Sequence, residues 1–174
     1  MDSEGQELWR KVCGSSENDK VQGLVAVNDG YIFASNSPDL STSIIDITND
    51  IGLQKGDASG DSIWTRAYGV VEEIDEVEDL ILTSDNHLVI TGSAEDLRKL
   101  LIGKFDLNGD SIWMKKYAIS EVENIGHNII ELQDGSLVVV GLTSKTAVES
   151  DILVAKFNQA GEKYWHSLVG ESSN

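Results

Sequence analysis

A chain of 174 residues with 40% apolar content can bury one good core, and none of its apolar runs approaches the roughly 18 to 20 residues that would cross a bilayer. Its 13 basic and 30 acidic residues give a formal charge of −17, which argues against nucleic acid, because phosphate binding relies on Lys and Arg clusters. The first residues, Met1 to Glu7, lack the basic and then apolar pattern of a signal peptide, so the expectation is cytosolic synthesis or a leader that is missing here. The single cysteine, Cys13, cannot form an internal disulfide and reads as a small apolar strand residue.

In chain order, the first landmark is Gly5-Gln-Glu-Leu-Trp9, a degenerate copy of a motif that returns at Gly60 to Trp64, Gly109 to Trp113 and Gly161 to Trp165. All four tryptophans thus occupy one phase of a repeat of about 50 residues. Each Trp opens a short strand that ends near a small residue at Gly14, Gly69, Ala118 or Gly170. A polar loop follows and closes on Asp19, Asp75 or Asn124, and an apolar strand then begins: Val21 to Val27, Val77 to Leu82, or Ile129 to Leu132. Turn signals come next at Asn28-Asp29-Gly30, Ser84-Asp85-Asn86 and Gln133-Asp134-Gly135, where Gly or Asn accepts a positive φ. The returning strands are Tyr31 to Ala34, His87 to Thr91 and Ser136 to Val140.

A third strand covers Lys99 to Phe105 in the second unit and Asp151 to Phe157 in the third. In the first unit Ser43 to Thr48 is the candidate, with extra residues or a bulge before Lys55, the match of Lys104 and Lys156. Four-residue turns, Asp57 to Gly60, Asp106 to Gly109 and Asn158 to Gly161, then lead into the next tryptophan strand. Ser93 to Leu101 can be read as a short capped helix, but its equivalents are plain loops, and the chain reads as all-β. The units are approximately 10–64, 65–113 and 114–165, forming a single array over 1–174, with a flanking strand at 5–13 and a tail at 166–174.

Four-stranded units of this length have the size of β-propeller blades, each of which buries both faces only against its neighbours, with the Trp filling the contact between blades. The segments Trp64-Thr-Arg-Ala-Tyr-Gly69, Leu80 to Asp85, Leu88 to Ser93 and Leu101 to Trp113 resemble the repeat of secreted bacterial and archaeal β-propellers. The Asp-x-x-Gly-x-x-x-Trp portion is also similar to the tryptophan-docking motif of quinoprotein propellers. The resemblance covers nearly the whole chain and implies a propeller fold and a location outside the cell or on its surface. The tandem glycines of that repeat are incomplete here, as at Gly69-Val70 and Asp85-Asn86. Three periods plus one strand do not close a ring neatly, so the expectation is a segment of a longer propeller or a chain that pairs with another copy. A β-trefoil, also built from three four-stranded repeats, is the alternative fold.

Few residues stand out for chemistry. Asp106 to Asp110 has the oxygen-rich look of a calcium loop, but lacks the ligand spacing and terminal Glu of an EF-hand, and reads as a hairpin turn. The acidic run that includes Glu72, Glu73 and Asp75 falls on a loop entering a unit, where it could attract a cation or a basic partner. Asp19, Asp75 and Asn124 are equivalent positions, either on a ligand-binding loop face or as turn caps. His87, His127 and His166 occupy three different phases, so the repeat brings no metal site together. Ser62 and Ser111 belong to repeat turns and not to a triad. The docking-type motif would suggest a quinone, yet no separate signal supports one, and no cofactor is expected. The sequence therefore reads as a non-catalytic scaffold or recognition module for a protein or matrix partner. A lectin with about one aromatic-platform site per repeat is the alternative.

Overall fold

The computed structural model describes residues 3–12, 19–37, 50–69, 73–146 and 149–170. It contains twelve strands in three four-stranded antiparallel sheets. The first sheet holds β1 (Lys20–Val27), β2 (Gly30–Ser37), β3 (Asp50–Asp57) and β4 (Ser62–Tyr68) in sequence order. The second holds β5 (Glu76–Leu82), β6 (Leu88–Ala94), β7 (Lys99–Phe105) and β8 (Ser111–Tyr117), and the third β9 (Glu123–Glu131), β10 (Leu137–Ser144), β11 (Ser150–Phe157) and β12 (Lys163–Val169). Among the described residues there is no helix and no closed barrel. A trefoil needs its strands to close a barrel, so that alternative is not what the chain builds.

Local chemistry accounts for the connections. Asn86 and Gly135 take positive φ values of 58° and 76° in the hairpin turns, as the turn residues predict. In each third-to-fourth-strand turn one side chain holds the backbone: Asp57 accepts from the Ser59 and Asp61 amides, Asp106 from Asn108 and Asp110, and Asn158 from Ala160 and Glu162, at 2.8 to 3.0 Å. These Asx turns end at Gly60, Gly109 and Gly161, whose φ values of 82°, 84° and 74° disfavour any side chain. A register shift just after the turn leaves Ile63, Ile112 or Tyr164 unpaired and exposed, and seats each tryptophan opposite Lys55, Lys104 or Lys156.

Several observed elements depart from the expected ones: β9 begins at Glu123 and not at Ile129. The third strand of the first unit is Asp50–Asp57; Ser43 to Thr48 lies outside the described residues, as does Cys13. The capped-helix alternative at Ser93 to Leu101 is replaced by the end of β6, a left-handed turn and β7. Of the extra strand expected over 5–13, residues 5–12 are described and are not in a strand.

The sheets pack face to face, and the core lies in the two seams. Ile32, Ala34, Ile51 and Leu53 of the first sheet meet Leu88, Ile90, Leu101 and Phe105 of the second. The opposite face of the second sheet, with Val89, Leu100 and Ile102, meets Ile129, Leu137, Val139, Leu153 and Phe157 of the third. Strands β6 and β7 therefore bury every apolar residue on both faces, and read as continuous apolar runs instead of alternating ones.

At the rim each seam is closed by a tryptophan. Trp64 lies against Gly109 and Trp113 against Gly161, so that a Cβ on either glycine would come within 2.7 to 3.1 Å of the indole ring. Trp9 lies on Gly60 in the same way and donates its indole N–H to the Ala58 carbonyl at 3.0 Å. Trp9, Trp64 and Trp113 thus each dock on the next glycine turn along the chain, whereas Trp165 is 46% exposed. Tyr68 and Tyr117 repeat this crossing, donating their hydroxyls to the Gly109 and Gly161 carbonyls while their rings tilt against Phe105 and Phe157, centroids 4.7 and 5.3 Å apart. Burial pushes the Tyr68 phenol up to about 12, which keeps it a donor. Gly161→Ala should lose about 2 to 4 kcal/mol in urea unfolding, since strain and a clash with Trp113 combine. Gly5→Ala, with a similar φ and nothing within 4 Å, should lose at most the backbone cost of about 1 to 2 kcal/mol.

Candidate functional site

The two ends of the sheets carry different polar chemistry. At the hairpin end, one lysine of each third strand reaches the aspartate of the first turn: Lys55 to Asp29 at 2.8 Å, Lys104 to Asp85 at 2.7 Å and Lys156 to Asp134 at 3.3 Å. All three carboxyls lie below the usual Asp range. For Asp29 the leading cause is the bond from Lys55. For Asp85 burial opposes the shift and is outweighed by Lys104, the Thr83 hydroxyl and His87. Asp134 is held at about 2, chiefly by the Ser136 hydroxyl and amide and then by Lys156. These pairs brace the hairpins of each unit.

At the other end, the connection between β6 and β7 has three consecutive residues in the left-handed region: Glu95, Asp96 and Leu97, with φ of 54°, 55° and 70°. Non-glycine residues in this region cost about 1 to 2 kcal/mol each, so the turn must be held by its surroundings. Asp75 accepts from the Glu95 amide at 3.2 Å, and Lys99 pairs with the Glu95 carboxylate at 2.7 Å. From the third unit, the Asn124 amide donates to the Leu97 carbonyl at 2.8 Å, and its side-chain Nδ2 to the Arg98 carbonyl at 2.6 Å. The turn is clamped from two units at once, and Asp96 and Arg98 project from it into solvent.

Two of the sequence-predicted residues, Asp75 and Asn124, hold this turn, and a third, Glu73, is tied to Asp75 through Lys116. Asp75 is buried and sits 3.3 Å from Lys116, which also reaches Glu73 at 3.2 Å. Burial lowers the Lys116 pKa, but the Asp75 and Glu73 carboxylates outweigh it and the net shift is upward. Asn124 is fully buried, and its Oδ1 accepts from the Ile119 and Ser120 amides and from the Thr143 hydroxyl at 2.8 to 3.1 Å. Asp75 and Asn124 are thus committed to backbone and neighbouring side chains, in the manner of turn caps. Asp19 is exposed at the matching position of the first unit, and Glu72 lies outside the described residues.

The histidines stay apart: His87 meets Asp85 at 3.1 Å, His127 meets Glu78 at 3.6 Å, and His166 is exposed on β12. Among the described residues no three His, Cys, Asp or Glu side chains come together in a way that could hold a metal. Sequence reasoning missed the left-handed turn, Lys116 and the Lys–Asp braces; the recurrent Lys55, Lys104 and Lys156 were the one signal that pointed to the braces. It also missed an open hollow of about 350 Å³ bordered by Asp134, Ser136, Asn158, Gln159 and Tyr164. No protein-family model matches the chain, and no curated protein is similar to it at a significant level.

Asn124→Ala should destabilise the protein by about 2 to 4 kcal/mol, because several buried backbone groups lose their partner together; urea unfolding measures this. Carboxyls depressed in the folded state stabilise it fully above the unfolded Asp value of about 3.9, and that stability is lost as pH falls through the folded values. Stability should therefore drop between about pH 4 and pH 2, where Asp134 titrates. Lys104→Met should move the Asp85 carboxyl upward in a carbon-13 titration and leave Asp134 unchanged.

Proposed function

We propose that the three sheets are blades of the propeller type and that the chain is a non-catalytic scaffold or recognition module for a protein or matrix partner, working outside the cell or on its surface. The observation that carries this reading is the use of the polar residues. Asp75 and Asn124 hold the 95–97 turn in an unfavourable backbone shape, and Asp96 and Arg98 are exposed on it. A rigid turn on a stack of sheets suits recognition. The formal charge of −17 favours a basic partner. The test is binding to a panel of basic extracellular-matrix proteins by biolayer interferometry at about 150 mM salt. Paired Asp96→Ala and Arg98→Ala substitutions should weaken binding about tenfold, and unchanged affinity or hydrolase turnover would reject the reading.

The hollow beside Tyr164 favours a second reading, a carbohydrate site. Tyr164 is an exposed aromatic next to the Asp134 carboxylate and the Asn158 and Gln159 amides, a combination that suits a sugar ring and its hydroxyls. Its equivalents are Ile63 and Ile112, so this reading gives one site on the chain instead of one per repeat. A glycan array should then show binding that Tyr164→Ala abolishes.

A further inference from the structure

The third sheet exposes a face whose counterpart on the second sheet is a seam. Along the registers, Ile130, Val138, Lys156 and Trp165 form one row across β9 to β12, and Ile152 pairs with Val169 in another. The matching row of the second sheet is Ile81, Val89, Lys104 and Trp113, and it packs under the third sheet with Val89 fully buried. On the third sheet Ile130, Ile152 and Val169 are more than half exposed, and Trp165 is 46% exposed.

The first sheet exposes the complementary face. Leu24 is 66% exposed, where its equivalents Leu80 and Ile129 are 4% and 2% exposed inside the seams. Phe105 and Phe157 each fill the centre of a seam from the third strand. At that position the first sheet has Gly56, and the ring of Tyr31 lies directly over it, stacked at 6.4 Å on Phe33. An aromatic ring therefore stands at the same place, supplied by the neighbouring strand.

We propose that the first sheet of a second copy of this chain covers the third sheet, head to tail, repeating the seam that the chain already makes twice. Two copies then bring six sheets together, and six is the one multiple of three within the about four to eight blades of known propellers. In that contact Trp165 takes the place on Gly60 of the second copy that Trp9 holds in the isolated chain. The short segment 3–12 thus acts as a removable plug on the assembly face. Pairing the third sheet with itself would bring Lys156 against Lys156 and leave Trp165 without a glycine turn. Docking Trp165 on Gly5, around which nothing lies within 4 Å, would leave Ile130 and Val140 uncovered, because residues 5–12 carry no sheet. The proposal rests on the blade reading above.

The test is sedimentation equilibrium of the whole chain at about 10 to 200 μM. The expected mass is about twice 18.9 kDa. Val140→Lys and Leu24→Glu, both at positions exposed in the isolated chain, should each give a monomer with an unchanged circular dichroism spectrum. An equimolar mixture of the two should recover the dimer, since one unmodified seam and one Lys–Glu seam can then form. Trp9→Ala should tighten the dimer by about tenfold by removing the plug, and Gly5→Ala should leave it unchanged. A wild-type monomer over the whole range would overturn the proposal. So would a dimer insensitive to Leu24→Glu, which points to self-pairing of the third sheet, or capture of that face only by sheets of another polypeptide. Weakening by Trp9→Ala or by Gly5→Ala would overturn it as well. A monomer that still unfolds in one transition, with Trp113→Ala destabilising all three sheets together, defeats only the assembly. Three independent transitions would defeat the blade reading itself.

Discussion

The structure depends on one repeated contact, an indole ring laid on the backbone of a glycine turn in the following unit. The glycine must lack a Cβ because the ring occupies that space, and it must take a positive φ because the Asx turn before it ends there. One residue type satisfies both demands. The turn is rigid, since Asp57, Asp106 or Asn158 ties two amides to its own side chain, so the ring meets a fixed surface. Arg66 and Lys115 lie 5.7 and 5.9 Å from the Trp64 and Trp113 ring centroids, within cation–π range.

From this contact the rest of the packing follows. With the rim fixed, the apolar faces of adjacent sheets are brought into register, and the aromatic of one third strand meets the tyrosine of the previous fourth strand. The hairpin end is braced by ion pairs within each unit, whereas the loop end is braced between units through Asn124. The two ends thus do different mechanical jobs, and strained backbone occurs at the end where two units share the load.

Much of this was legible in the residues. The tryptophan phase defined the units, the Gly and Asn turn positions took the φ values they suggest, and β7 runs over the residues expected of it, Lys99–Phe105. What could not be read was which groups meet across units. The turn at 95–97 contains Glu, Asp and Leu, of which only Asp leans toward left-handed backbone, and the residues that hold it, Asp75 and Asn124, lie 20 and more positions away. Asp75 could be read as part of an acidic run facing a partner or as a turn cap, and its burial against Lys116 and the Glu95 amide is not visible in the sequence. At the flanking segment the motif was legible as the place where Trp9 docks on Gly60, while residues 5–12 are not in a strand.

The middle sheet has both faces covered, with Leu88, Val89 and Ile90 on one strand and Leu100, Leu101 and Ile102 on the next all fully buried, while each outer sheet has only one face covered. Units that touch only their neighbours behave like links in a linear chain, where stability is the sum of each link and the joints beside it. Removing an outer link breaks one joint, and removing the middle one breaks both. Opening of the molecule therefore proceeds from its outer sheets inward, and β6 and β7 form the last element to let water reach its backbone.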